Sequence, residues 1–410
     1  MDFVRNMLRS AEAAASQYTS DLSALVGIDS GSDDPAGVNR VADWVSDRLV
    51  ALGFSIERQT APSDEATGQA RYGDALVARR KGSGQSRVLL FAHMDTVFLR
   101  GDAAKRPFSI DSDGLAHGPG VTDDKAGIVA GLHAAAHLIA EGSERYSELV
   151  LVFTPDEEIG SPFGRTVLAS AARDVDVALC LECARENGDL VAARKGVIDL
   201  ELEIDGIAAH SGIEPERGAH AGLEAAHLTI FLQSIADWPA GITVNVGKLR
   251  AGERLNIVPD YARLSVEMRA PRQEDLELLM AKIRERIAKP LVPGTKISIL
   301  ELEDCPPMER TAASESIGAA ASKIADSLGF SIRLATTGGV SDANRVSALG
   351  VPTLDGLGPI GGGDHTPGEW LQLRTVPQRV AFLATLIDTL GAASPVEADS
   401  LEALRTAASA

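Results

Sequence analysis

Apolar positions along the first 195 residues switch repeatedly between a helical and a strand period. Residues 1–26 and 36–52 carry apolar positions at helical spacing and predict amphipathic helices. Residues 73–80 and 87–92 predict strands. The Ala-rich segment 123–141 suits a helix, with Asp123 and Asp124 at its positive end. Apolar runs at 148–154 and 176–182 predict further strands. Short, nearly continuous apolar runs between helices mark buried strands of an α/β sheet.

The pattern changes near residue 196. A strand at 197–205, a helix at 217–235, strands at 242–249 and 261–269, a helix at 273–288 and a strand at 296–303 follow in turn. That β-α-β-β-α-β order is ferredoxin-like and can form a two-layer domain. After Pro306 and Pro307 the first style returns. A helix at 312–328, strands at 330–335 and 351–355 with Gly-rich loops, and a helix at 375–391 complete it. The tail after Gly391 reads as loosely held. The expected architecture is an α/β domain from residues 1–195 and 307–410, a mixed sheet flanked by helices, interrupted by an α+β insert at 196–306.

Composition narrows the function. With 410 residues the chain can bury a large core without staples. Acidic residues number 58 against 39 basic, a formal charge of −19. Such an excess repels a phosphate backbone and disfavours nucleic-acid binding, and it disfavours a membrane surface for the same reason. No apolar run reaches the ~18 residues of a membrane-spanning helix. The segment MDFVRNMLRSAEAAASQ lacks the basic and apolar regions of a signal peptide, so a cytoplasmic location is expected. Three cysteines cannot build a disulfide framework, and Cys180 and Cys183 read as small residues near a strand end.

Candidate chemistry gathers at strand ends. His93 and Asp95 follow the strand RVLLFA, Glu157 and Glu158 follow LVLVFT, and Glu182 ends VALCLE. Asp123 follows the loop HGPGVT, and His365 sits in GPIGGGDHTPGEW. Sites in open α/β sheets form at the carboxyl ends of strands, so these residues can share one crevice. Two histidines with several carboxylates suit zinc, manganese or cobalt. Two such ions lower the pKa of a shared water towards ~7. Asp123 is the candidate bridge. One of Glu157 and Glu158 can bind while the other takes the water's proton. Asp95 can accept the other ring N–H of His93. His133 and His137 are spaced i, i+4 but lack the glutamate of a zinc-protease helix, and they read as packing or surface residues. His117, His220 and His227 read the same way, with no carboxylate pattern nearby.

The motifs FAHMDTV, GPGVTDDKAG, TPDEEIG, LCLECA, AAHSGIEPERG, RLNIVPDYARLSVEMR, TTGGVSDAN and GGGDHTPGEW occur in this order. In them the sequence resembles the dinuclear-zinc aminoacylase and carboxypeptidase family. That family includes glutamate carboxypeptidase, peptidase T, acetylornithine deacetylase and succinyl-diaminopimelate desuccinylase. The resemblance implies a zinc-exopeptidase-like catalytic domain, with the insert as dimerisation or lid domain of a homodimer. It implies two divalent ions, zinc first and manganese or cobalt as alternatives. His93, Asp123 and Glu182 would hold one, and Asp123, Glu158 and His365 the other. Glu157 would be the general base, Asp95 would orient His93, and the Asp123–Asp124 bond would be cis. His210 would stabilise the oxyanion at the partner's site, and Asn256 and Arg269 would bind the carboxylate end of a small substrate. Lys125-Ala126-Gly127 departs slightly from the family's Lys-Gly-Gly.

The expected activity is hydrolysis of an amide C–N bond next to a free carboxylate, as in a metallo-carboxypeptidase or N-acyl-amino-acid hydrolase. The alternative is another C–N hydrolysis at the same site, such as deamination of an amino-substituted aromatic acid. A non-catalytic binder is disfavoured, because it would be free to lose Glu157 and the ligands.

Overall fold

The computed structural model describes residues 2–63, 68 and 70–394. It divides into two compact units. The first comprises the described residues of Met1–Ala192, Arg310–Thr336 and Ser341–Ala410; the second comprises Ala193–Glu309 and Thr337–Val340.

The first unit is built on a six-stranded mixed sheet. Its strands lie in the order Ser55–Gln59, Ala75–Lys81, Glu148–Thr154, Arg87–His93, Val177–Cys180 and Thr353–Leu354. The first three pair antiparallel, and the last four run parallel to one another. The central strands Arg87–His93 and Glu148–Thr154 are buried almost end to end, as their unbroken apolar runs require. The helices Lys125–Ala140 and Val376–Ala392 are apolar nearly all round and lie inside the core. Asp34 caps the helix Pro35–Ala51 by accepting the Gly37 N–H at 3.1 Å, and Pro35 opens it. A reciprocal capping box of Thr311 and Ser314 starts the helix Ala312–Ser327.

Two expectations shift. The helix expected at 1–26 is two helices, Asp2–Ala13 and Ala15–Val26, broken at Ala14. The buried positions Met7, Ala11, Tyr18, Leu22 and Leu25 keep one helical period through the break, so no pattern marks it. The strand expected at 330–335 lies at Leu334–Thr337. Phe330 packs edge-on against Phe382 at 5.7 Å instead of joining a ladder. The expectation of a loose tail falls mostly on 395–410, outside the described residues.

The second unit holds an antiparallel four-stranded sheet in the order Thr243–Ala251, Tyr261–Ala270, Gly196–Asp205 and Lys296–Cys305. Numbered along the chain this is 2-3-1-4, the ferredoxin-like order. Ile198, Leu200, Leu202 and Ile204 point into its core with the helices Ala221–Ser234 and Gln273–Ile287, while Asp199, Glu201 and Glu203 alternate outward. No described helix is long and apolar enough to cross a membrane.

Candidate metal centre

Three adjacent parallel strands bring their carboxyl ends to one edge of the first unit's sheet. His93 ends the middle strand, Glu157 and Glu158 follow one neighbour in the turn Glu157–Ile159, and Glu182 follows the other. Asp123 lies just before the helix Lys125–Ala140, and the Asp123–Asp124 peptide is cis. His365 comes from the loop between Gly361–Gly362 and Trp370–Gln372, with φ +62°, an uncommon conformation for a side chain-bearing residue. That loop packs tightly: a Cβ on Gly361 would sit 1.9 Å from Thr122 Oγ1.

Asp123 turns one oxygen to each histidine. Its Oδ1 is 2.9 Å from His93 Nε2, and its Oδ2 is 3.2 Å from His365 Nε2. His93 Nε2 also lies 3.6 Å from Glu182 Oε1, and His365 Nε2 lies 3.0 Å from Glu158 Oε2. Ligands about 2.1 Å from a tetrahedral ion stand about 3.4 Å apart, so these separations fit ions between them. His93, Asp123 and Glu158 offer ligand atoms within 4.8 Å of one another, as do His93, Asp124 and Glu182. Asp124 is therefore a further candidate that the strand-end pattern missed, grouped with His93 and Glu182. It is fully buried, and neither of its carboxylate oxygens has a hydrogen-bond partner. Glu158 Oε1 is likewise buried without one. Unpartnered buried acceptors beside two imidazoles are the donor set a divalent cation satisfies.

The electrostatics follow the geometry. Burial opposes ionisation of Asp123, but hydrogen bonds from His365 and His93 outweigh it and hold its carboxyl below the usual range. Asp123 and Glu158 raise the His365 imidazole to about 11. Burial pushes the Glu157 carboxyl well up, helped by Glu182 and Asp342 and opposed by His93.

Supporting groups hold these side chains in place. His93 Nδ1 is 3.1 Å from the Asp95 carbonyl oxygen and 3.3 Å from its Oδ1. The fully buried Asp95 carboxylate also accepts the N–H groups of Glu157 and Glu158, at 3.0 and 3.1 Å, and the Ser32 hydroxyl at 2.7 Å. Asp342 accepts from the Thr154 and Ser161 hydroxyls on either side of the Glu157–Ile159 turn. Ser32 lies outside every motif, and Asp342 lies within TTGGVSDAN but carries no role there from sequence alone.

The other expected residues lie in the second unit. His210 is exposed and its Nδ1 accepts the Gly212 N–H at 3.1 Å. Asn256 is exposed, and its carbonyl accepts the Ser211 N–H. Arg269 directs Nε and Nη2 to Glu267, at 2.9 and 2.8 Å, and Nη1 to the Gly338 carbonyl. Among the histidines read as packing or surface residues, His133 meets Asp21 at 3.0 Å, His137 meets Ser10 at 2.9 Å, and His220 caps the helix Ala221–Ser234. His117 corrects one expectation: a carboxylate does reach it, Asp111 at 3.0 Å.

Residues 89–389 match the model of peptidase family M20/M25/M40. The chain is 30% identical over 377 residues to carboxypeptidase G2 of Pseudomonas sp. (strain RS-16), covering 90% of this chain and 88% of that one. It is 29% identical over 282 residues to acetylornithine deacetylase of Myxococcus xanthus, covering 65% and 71%. The crystal structure of aminopeptidase PepT from Bacillus cereus ATCC 10987 shares the fold, with a TM-score of 0.76 and 22% identity over 91% of this chain and 98% of that one. The chain belongs to peptidase family M20/M25/M40 and is a hydrolase of that family.

Proposed function

We propose that the chain hydrolyses an amide C–N bond adjacent to a free carboxylate, with Glu157 as general base and two divalent ions in the centre. The carrying observation is Asp123, whose two oxygens face two different histidines. His93, Asp123 and Glu182, with Asp124 beside them, would hold one ion; Asp123, Glu158 and His365 would hold the other. Bound there, such ions supply Lewis acidity at the carbonyl and acidify the attacking water. Glu157 takes the proton from that water and returns it to the leaving amine. Asp95 keeps His93 in one orientation and the Glu157 turn in register.

Asn256 and Arg269 are assigned to the substrate's carboxylate, which Arg269 would take by exchanging its bonds to Glu267. His210 is assigned to the oxyanion, donated across a homodimer. The names of the relatives support amides of amino acids as the substrate class. The exposed edge strand Thr243–Ala251, with Leu249, and the neighbouring helix stripe of Leu223 and Ile230 support pairing of two copies through the second unit.

The test is a panel of N-acyl amino acids and dipeptides assayed with metal-loaded enzyme, each beside its C-terminal methyl ester. Cleavage of the free acids and at least about tenfold poorer kcat/KM on the esters is expected, since one charged contact is worth about that much. Equal rates on both would overturn the carboxylate requirement.

A further inference from the structure

Glu369 is 1% exposed and stands just before the strand Trp370–Gln372, four residues beyond His365. Its oxygens accept three backbone N–H groups of a distant loop. Gly120 donates to Oε2 at 2.9 Å, and Thr122 and Asp123 donate to Oε1 at 2.7 and 3.0 Å. Three converging amides form a concave anion-binding nest, and here a side chain of the protein fills it.

The strands explain why the two loops meet. The loop bearing Asp123 leaves the strand Leu115–His117, and the loop bearing His365 enters Trp370–Gln372. These strands pair antiparallel with His117 opposite Trp370, and His117 Nδ1 lies 3.0 Å from the Glu369 carbonyl oxygen. The ladder brings the loops side by side, but it ends before residues 118–124. Beyond it, the Glu369 carboxylate fixes the backbone up to Asp123 itself. Lys125 anchors the far side of the loop, with Nζ 2.8 Å from the Ile28 carbonyl oxygen and 3.3 Å from that of Pro119.

Metal ligands must be held within about 0.5 Å of their working positions by groups that are themselves locked. We propose that Glu369 is a positioning residue that locks Asp123 against His365 and thereby sets the affinity of the ion shared by Asp123, Glu158 and His365. This rests on the reading of Asp123 and His365 as ligands. A neutral amide in place of the carboxylate offers one acceptor where three donors converge, so the nest cannot be filled.

The experiment titrates metal-free protein with zinc against a chelating dye. Wild type should take up two ions per chain. Glu369→Gln should bind the second about 10–100-fold more weakly and the first less so, since His93, Glu182 and the neighbouring Asp124 still hold it, with occupancy restored by excess zinc. Glu369→Asp keeps the charge but loses reach, is measured beside it, and should show the same loss. Leu49→Ala, in the buried face of the helix Pro35–Ala51, controls for lost stability and should keep both affinities at a comparable fall in Tm. Wild-type affinity in both Glu369 variants, or the same selective loss in Leu49→Ala, would overturn the proposal. A wild-type chain that takes up no second ion would overturn the ligand reading beneath it.

Discussion

The Asp95 carboxylate accepts the backbone N–H of Glu157 at 3.0 Å, while the same residue lies against the ring of His93. One buried carboxylate thus ties a proposed ligand to the proposed base. Asp95→Asn keeps the shape but replaces one acceptor oxygen with a donor that faces an N–H or a hydroxyl. Turnover and metal affinity should each fall about 10–100-fold. Steady-state kinetics and a zinc titration check it, and a variant with wild-type values in both would show that Asp95 only fills space.

A second copy of the chain is expected on the edge strand and helix stripe of the second unit. Ile230→Asp places a charge at a position 68% exposed in the chain alone, so a monomer should tolerate it. If the stripe is an interface, sedimentation should show wild type as a dimer and the variant as a monomer with unchanged secondary structure. A dimeric variant would move the interface elsewhere.

Stability should depend on pH through His137. Burial, reinforced by the neighbouring His133, lowers its pKa from 6.5 to about 4. The folded protein therefore refuses a proton that the unfolded chain accepts. Stability falls as pH drops from about 6.5 to about 4, by roughly 3 kcal/mol from this residue, and its contribution is flat outside that window. Urea unfolding at pH 7.5 and 4.5 measures it, and His137→Gln removes this part of the loss while the other titrating groups keep theirs. An identical pH dependence in the variant would contradict the assignment.

Much of the centre was legible because its residues sit where strands stop. His93, Glu157, Glu158 and Glu182 each follow an apolar run, and a parallel sheet gathers such ends. Asp124 was hidden because an aspartate at a helix start reads as a cap, yet its side chain makes no capping hydrogen bond. Glu369 was hidden because its partners lie 246 to 249 residues away in sequence. Nothing in local spacing shows that a glutamate after a turn folds back on another loop. Short strands such as Leu115–His117 and Trp370–Gln372 escaped for a related reason: three residues are too few to display a period.

The central claim is that two ions and Glu157 share the reaction. Metal content and turnover of wild type and Glu157→Gln, measured on the same preparations, test it most directly. Two ions per chain are predicted in both proteins, with turnover in the variant lower by about 10²–10⁴-fold. An active wild type holding one ion or none, or a variant that keeps its turnover, would contradict it.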